Sequence, residues 1–261
     1  MTVANNLRHV QTTRYITPLR EGGSLPAIVE ADDGFMYVLK FRGAGQGVKA
    51  LIADLIGAEL ARALGLKVPE LVLASLDEAF GRTEPDEEIQ DLLKKSKGIN
   101  LGVHYLSGAI SFDPAVDNAD PLLASKIVWL DALLTNIDRT VRNTNMLTWH
   151  RELWLIDFGA SLYFHHTWDN WRQQILQPFS NIKTHVFLAQ ASKLEEADKE
   201  LKAMLTPELI ENILNLVPDS WLYENGTPAE MREVYKQFLD QRIAQSHVFL
   251  NEAQHARAAL I

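Results

Sequence analysis

The sequence lacks cysteine, and it lacks any long hydrophobic run. The first absence excludes disulfide bonds, thiolate metal sites and a cysteine nucleophile. The second excludes a membrane span, because no apolar run approaches the ~20 residues that a transmembrane helix requires. The N-terminal segment MTVANNLRHV also has no apolar core of the kind that signal peptides contain. These absences together predict a cytoplasmic protein.

A surplus of basic residues is missing as well. Lys and Arg together number 25 against 34 Asp and Glu, which gives a formal net charge of -9. A surface of that sign repels nucleic acid and anionic membranes, so we expect no nucleic-acid partner, although a local basic cleft could still hold phosphate groups. The 261 residues, 47% of them hydrophobic, are enough for one large domain or for two lobes that share a cleft.

Residues 1–108 are typical of a strand-rich unit that contains one helix. Short apolar runs between turn-forming segments predict strands over residues 10–17, 27–30 and 35–41 and in the segments VPELVLASL and INLGVHYL. Apolar residues recur at helical spacing over residues 48–64, and Gly65 follows as a stop signal. The charged and poorly periodic residues 81–97 are interpreted as a surface excursion.

Residues 109–261 have a different character and are mainly helical. The pattern predicts helices over residues 122–135, 207–217 and 228–253. Two short strands, residues 146–149 and 153–156, form a predicted hairpin that is joined by a polar turn. The sequence therefore predicts an α+β fold, in which a β-rich N-terminal lobe is followed by a mainly helical C-terminal lobe that carries a small hairpin.

The segment LLTNIDRTVRNTNMLTWHRELWLIDFGAS places acids and amides at the ends of its hydrophobic stretches. Asp138, Asn143 and Asn145 precede the first strand of the predicted hairpin. Asp157 follows the second strand. A loop before one strand and a turn after its partner can lie side by side, and carboxylate and amide oxygens suit Mg²⁺. The alternative is ordinary turn chemistry, because Asn, Asp and Gly are common in loops. Each piece alone is a weak signal, whereas the ordered set is specific.

These motifs resemble those of a known superfamily. Asp-x-x-x-x-Asn, followed by a strand pair and Asp-Phe-Gly, resembles the catalytic and metal-binding segments of the protein-kinase-like superfamily. Within it the sequence is most similar to the bacterial HipA-like kinases. EGGS, GFMYVLKF and LGLKVPE resemble the small stand-alone branch of that family, while DRTVRNTNML also resembles phosphatidylinositol kinases. The resemblance covers residues 10–165 and implies a bilobal protein-kinase-like fold, with lobes at residues 1–108 and 109–261.

The resemblance also implies that ATP and Mg²⁺ are the cofactors. Lys40 would contact the α- and β-phosphates of ATP. The backbone amides of Gly22, Gly23 and Ser24 would cover the phosphates, because small residues permit a close approach. For Lys40 the alternative is a lysine that extends its amine from a strand face into solvent. For EGGS the alternative is a plain hairpin turn.

The same resemblance assigns roles to the polar residues around the predicted hairpin. Asp138 would orient the acceptor hydroxyl and take its proton, while Asn143 and Asp157 would hold Mg²⁺ against the phosphates. Asn145 directly precedes the apolar strand, as the metal-binding Asn does in some relatives, so it is the alternative ligand. The spacing from Asp138 favours Asn143, and the choice between the two asparagines stays open.

The roles of four further charged residues also have alternatives. The acid that pairs with Lys40 is assigned to Asp54, which lies where HipA-like relatives carry Glu. Glu59 has the expected side chain but faces another side of the helix, since a separation of about five residues is about 1.4 turns. Arg139 and Arg142 would either neutralise phosphate charge or pair with surface acids.

The implied activity is an ATP- and Mg²⁺-dependent transfer of the γ-phosphate to a hydroxyl group. A Ser or Thr of a protein is the implied acceptor, and a small-molecule hydroxyl is the alternative. Two other functions fit similar residues: a nucleotide-binding pseudokinase that acts as a scaffold or sensor, and an enzyme that transfers AMP. Because some HipA-like relatives work in toxin–antitoxin pairs, the resemblance also suggests an antitoxin-like regulator as a partner.

Overall fold

The computed structural model describes residues 6–19, 25–77, 80 and 86–260, and these form eight β-strands and eight α-helices. The strands are β1 (Arg8–Pro18), β2 (Ala27–Ala31), β3 (Met36–Lys40), β4 (Leu71–Leu76), β5 (Gly98–His104), β6 (Ile110–Ser111), β7 (Met146–Trp149) and β8 (Glu152–Leu155). The helices are α1 (Val48–Ala63), α2 (Glu87–Lys95), α3 (Pro121–Leu134), α4 (Trp171–Ile175), α5 (Leu194–Met204), α6 (Pro207–Leu214), α7 (Pro228–Ala244) and α8 (His247–Ala258).

The first five strands form a closed barrel in the order β1-β2-β3-β5-β4. Neighbouring strands are antiparallel except β1 and β4, which run parallel and close the barrel. Along β3 the side chains alternate, so that Tyr37 and Leu39 are fully buried in the barrel core while Val38 and Lys40 are half-buried. Because a shift of one residue would exchange the two faces, this register fixes Lys40 on the outer face of β3.

Helix α1 is buried on nearly all sides, since every residue from 51 to 61 is buried. It packs against both β5 of the barrel and α6 of the C-terminal part. Gly57 is required where α1 meets the turn after β8, because a Cβ atom there would lie 2.6 Å from Cβ of Phe158. After the helix ends, Gly65 adopts a φ of 77°, a left-handed conformation that glycine favours. The observed helix matches the one predicted over residues 48–64.

Helix α3 packs against α5, α7 and α8 in the C-terminal part. Asp120 caps its N-terminus by accepting hydrogen bonds from two amides of the first turn at 2.9 and 3.2 Å, and Pro121 follows the cap. The helix ends at Thr135, which has a φ of 56°. The chain then enters the polar loop that carries Asp138.

Strands β6, β7 and β8 form a small antiparallel sheet in that order. His150 and Arg151 join β7 to β8 with φ values of 49° and 65°, the left-handed pair that a tight hairpin turn requires. Asn145 directly precedes β7, and Asp157 lies just beyond the end of β8. The hairpin thereby brings the loop before β7 next to the turn after β8, as the sequence predicts.

Two helical regions differ from the sequence-based predictions. The charged segment interpreted as an excursion contains α2, because Asp86 caps this helix and Ile89 and Leu93 bury one of its faces. The pattern predicts one helix over residues 228–253, whereas the chain forms α7 and α8 with a break between them. The break lets α8 pack against α5 while α7 packs against α6 and α4.

The described structure is a mixed fold, with strands concentrated in the N-terminal part and helices in the C-terminal half. Within the described ranges, no helix combines the length and the apolarity that crossing a bilayer requires.

Candidate active site

Lys40 lies at the meeting point of three elements. Its Nζ donates to Oδ2 of Asp54 on α1 at 2.7 Å and to Oδ1 of Asp157, in the turn after β8, at 2.8 Å. The side chains of Lys40 and Asp54 are 16% and 7% exposed, while that of Asp157 is 46% exposed. Three residues that the sequence predicts for one site therefore lie together, although they come from distant parts of the chain.

The charged groups of this cluster shift one another's pKa values. Burial alone would lower the pKa of Lys40, but the negative charges of Asp157 and Asp54 raise it above its ordinary value. Burial raises the pKa of Asp54 to about 6, against the opposing attraction of Lys40. The positive charge of Lys40 lowers the pKa of Asp157. Asp157 is therefore an ionised and solvent-accessible carboxylate, which is the state that binds a cation.

Asp54 reaches both the lysine and the turn after β8. Its second oxygen, Oδ1, accepts a hydrogen bond from the backbone amide of Phe158 at 2.6 Å. Gly159 leaves room for this carboxylate, because a Cβ at that position would lie 3.1 Å from Asp54 Oδ2. Glu59, the alternative partner of Lys40, instead accepts from Nε of Arg62 at 3.3 Å. Lys40 is therefore paired with Asp54 and not with Glu59.

Asp138 is half-buried and is flanked by both candidate asparagines. Nδ2 of Asn143 donates to Asp138 Oδ2 at 2.8 Å, and Nδ2 of Asn145 donates to the same oxygen at 3.2 Å. Asn143 is exposed, whereas Asn145 is buried and has a φ of 49°. Both amides therefore restrain the Asp138 carboxylate. Only Asn143 presents a side chain that is open to solvent.

The residues present suit Mg²⁺, although they form no cluster of acids. Among the described residues, no group of three or more His, Asp or Glu side chains could hold a metal ion. Mg²⁺ does not need one, because it is usually bound through one or two carboxylates together with substrate phosphates. Asp157 and Asn143 offer an exposed carboxylate and an exposed amide on loops that the hairpin brings together. Asn145 is less suited because its side chain is buried.

Arg139 is placed differently from both alternatives that the sequence offers. Its side chain is fully buried, so it pairs with no surface acid, and from the interior its charge helps to lower the pKa of Asp157. Its Nε donates to the buried carboxylate of Asp131 on α3 at 2.6 Å. Burial alone would raise the pKa of Asp131, but Arg139 and His185 lower it. Arg142 is exposed.

The buried hydrogen bonds that hold the Asp138 loop could not be predicted from the motifs. Asp131 also accepts from Asn136 Nδ2 at 2.8 Å and lies 2.9 Å from Nε2 of His185. The sequence gives one indication of this support, which is the acid Asp131 inside the otherwise apolar helix PLLASKIVWLDALL. An acid that is buried in this way needs a partner. The predicted phosphate-covering residues Gly22, Gly23 and Ser24 lie outside the described residues.

The barrel followed by helices, with a lysine and an Asp-Phe-Gly turn in contact, defines the class as a kinase-like protein. The sequence model of the HipA-like kinases matches residues 13–254, so the chain belongs to the HipA-like kinase family. The structure is similar to the crystal structure of the Helicobacter pylori proinflammatory kinase CtkA, with a TM-score of 0.60 and 13% identity over 97% of this chain and 99% of that chain. At that identity the likeness shows the fold alone. Among curated proteins no relative matches.

Proposed function

We propose that this protein is an ATP- and Mg²⁺-dependent phosphotransferase that moves the γ-phosphate of ATP to a hydroxyl, with a Ser or Thr of a protein as the acceptor. The observation that carries the proposal is the contact of Lys40 with both Asp54 and Asp157, beside a loop that presents Asp138. Residues 1–108 and 109–261 would act as two lobes with the nucleotide between them.

Lys40 is the residue that would hold the α- and β-phosphates. Its two carboxylate partners keep it protonated and fix its direction, and Asp54 is the more buried of the two. Asp54 would therefore stay with the lysine when Asp157 turns to the metal. Backbone amides of Gly22, Gly23 and Ser24 would cover the phosphates from the N-terminal side.

Asp157 and Asn143 are the proposed ligands of Mg²⁺, with Asn145 as the alternative to Asn143. When bound there, Mg²⁺ would neutralise charge on the transferring phosphate group. Nδ2 of Asn143 already donates to Asp138, so its amide oxygen is the atom left for a cation.

Asp138 is the proposed proton acceptor. The acceptor hydroxyl would give its proton to this carboxylate as its oxygen bonds to the γ-phosphorus and the bond from that phosphorus to the ADP oxygen breaks. Both asparagine amides donate to Oδ2 of Asp138. That arrangement leaves Oδ1 for the acceptor, and no covalent intermediate on the protein is required. An antitoxin-like protein is the proposed regulator.

The direct test is incubation with γ-labelled ATP and Mg²⁺, with Asp138→Ala measured beside the wild type. We expect label on a hydroxyl acceptor in the wild-type reaction and almost none with the variant. A parallel reaction with α-labelled ATP separates phosphate transfer from AMP transfer, because only AMP transfer carries the α-label to the acceptor. ATP binding without transfer of either label would indicate a pseudokinase, and equal transfer by Asp138→Ala would contradict the mechanism.

A further inference from the structure

Arg139 follows Asp138 in the chain, yet its side chain lies in the interior of the protein. The side chains of Arg139 and Asp131 are 0% and 1% exposed, and their charged groups are 2.6 Å apart. A buried arginine needs such a partner, because an unpaired charge in the interior is costly. Asn136 and His185 contact the same carboxylate, so Arg139 has a fixed anchor on α3.

The other end of the guanidinium contacts two separate loops. Nη1 of Arg139 donates to the carbonyl oxygen of Asn145 at 2.6 Å and to that of Ile156 at 3.3 Å. Cζ of Arg139 also lies 4.8 Å from the ring centroid of Phe158. Ile156 and Phe158 flank Asp157, and Asn145 ends the loop of the proposed proton acceptor. One buried side chain therefore connects the proton-acceptor loop with the metal-binding turn.

Both of these loops contain a residue in a strained conformation. Asn145 has a φ of 49° and Asp157 has a φ of 54°, in the left-handed region that Asn and Asp adopt more readily than other non-glycine residues but still at a cost. Such conformations persist only when the surrounding contacts hold them. The carbonyl oxygen of Asn145 accepts from the Ile156 amide at 3.0 Å as well as from Arg139. The guanidinium thus supports the backbone at the point where the two loops meet.

We infer that Arg139 is a positioning residue, which fixes the separation of Asp138 and Asp157 and is itself anchored by Asp131. The inference rests on the proposed function, in which Asp138 takes a proton and Asp157 holds the metal. Because its side chain is fully buried, Arg139 acts through the two loops and not by touching phosphate. Loss of its hydrogen bonds would displace the groups that react. A displacement of about 1 Å can lower a rate about 100-fold.

Arg242 offers a matched control, since it is a second buried arginine that donates to backbone carbonyls. Its side chain donates to the carbonyl oxygens of Leu133, Ala132 and Ile175 at 2.9, 2.8 and 3.0 Å. These carbonyls belong to the ends of α3 and α4, not to the two loops of the site. Replacing either arginine by lysine keeps a basic side chain and removes the planar fork of donors.

The experiment compares Arg139→Lys and Arg242→Lys at a temperature at which both remain folded. We expect kcat of Arg139→Lys to fall about 100-fold with little change in the KM for ATP, because the nucleotide would still be held by Lys40. Hydrogen exchange at the Ile156 amide should also become faster in this variant. Arg242→Lys should lower the melting temperature while leaving kcat and the exchange of Ile156 unchanged.

Equal losses of kcat in the two variants, or unchanged exchange at Ile156 in Arg139→Lys, would overturn the inference. Failure of the proposed function has a different signature, since the wild type would then transfer no phosphate. In that case the exchange of the Ile156 amide alone decides whether Arg139 holds the two loops. Should Arg139→Lys not fold, Asp131→Asn removes the charge that anchors the same arginine. For this variant kcat and the hydrogen exchange of the Ile156 amide are measured in the same way.

Discussion

Asp54 and Asp157 bind the same lysine, but their surroundings give them different roles. Asp54 is 7% exposed and also accepts from the backbone of the turn after β8, so it has little freedom to leave Lys40. Asp157 is 46% exposed, and the charge of Lys40 lowers its pKa. At the scale of single residues, we therefore propose that Asp54 holds the lysine and that Asp157 exchanges between the lysine and a cation.

Asp157→Ala tests this division of roles. In the wild type, Mg·ATP should raise the melting temperature by mass action, because it binds the folded state. The variant should keep its fold and lose most of the part of the shift that depends on Mg²⁺. Melting curves with ATP alone and with Mg·ATP, for both proteins, provide the comparison. An Mg²⁺-dependent shift of unchanged size in the variant would remove Asp157 from the metal site.

The two asparagines allow a comparison at the same scale. We expect Asn143→Ala to abolish phosphate transfer with little change in melting temperature, because the residue is exposed and is the proposed ligand. Asn145→Gly should reduce transfer only modestly, since glycine accepts the φ of 49° that Asn145 adopts. Asn145→Ala should melt at a lower temperature than Asn145→Gly. The opposite ranking of the transfer rates would identify Asn145 as the metal ligand.

At the scale of elements, the contact between α1 and the turn after β8 determines where Asp54 meets Lys40. Gly57 permits this contact, because any Cβ at that position would lie 2.6 Å from Phe158 Cβ. Phe158 is itself 1% exposed and has little space to move. The absence of a side chain at one position of α1 is therefore part of how the site is built.

For Gly57→Ala, helix propensity and the contact with Phe158 predict opposite changes in stability, and the short contact distance favours destabilisation. In an isolated helix, alanine would be favoured over glycine by about 1 kcal/mol. Here we expect a lower melting temperature and slower phosphate transfer, because the added Cβ pushes α1 away from Phe158 and takes Asp54 with it. Ala63→Gly, at the end of the same helix, controls for helix propensity. A higher melting temperature with unchanged transfer would show that the contact is not required.

Elements with a strong local pattern could be predicted from the sequence. Strand β3 follows from an apolar run between turn-forming segments, helix α1 from helical spacing, and the β7–β8 hairpin from two short apolar runs joined by a polar turn. Helix α2 could not be predicted by the same means, because its stability depends on the cap at Asp86 and on two buried apolar residues in a mostly charged segment. The bonds of Asp131 to Arg139 and His185 also escaped prediction, since the Asp131–His185 pair spans 54 positions and leaves no periodic signal.

At the scale of the whole molecule, one buried histidine links stability to pH. His165 is 0% exposed, and its Nδ1 lies 3.0 Å from the hydroxyl of Tyr235. Burial, assisted by the charges of His166 and Lys49, lowers the pKa of His165 well below 6.5. The unfolded chain takes up a proton near that ordinary value while the folded protein does not. The stability that neutral His165 contributes is therefore present above about pH 6.5 and is lost as the pH falls.

We predict that acidification from about pH 6.5 to about pH 5.5 lowers the free energy of unfolding by up to about 1 kcal/mol through His165. His165→Gln should reduce this dependence, because glutamine carries no proton to gain. His150→Gln serves as the control, since His150 is exposed in the hairpin turn. Chemical denaturation at the two pH values measures the difference. An equal pH dependence in wild type and His165→Gln would show that another group is responsible.

In the proposed mechanism Asp138 acts in chemistry and does not hold the nucleotide. Asp138→Asn keeps the shape of the side chain and removes its charge, so an ATP titration and a rate measurement on this variant separate a role in chemistry from a role in binding. We predict a loss of transfer rate of about 10²- to 10⁴-fold. ATP affinity should change little, because removing a nearby negative charge does not weaken phosphate binding. An unchanged rate would contradict the mechanism, and lost ATP binding in a folded variant would place Asp138 in the metal site instead.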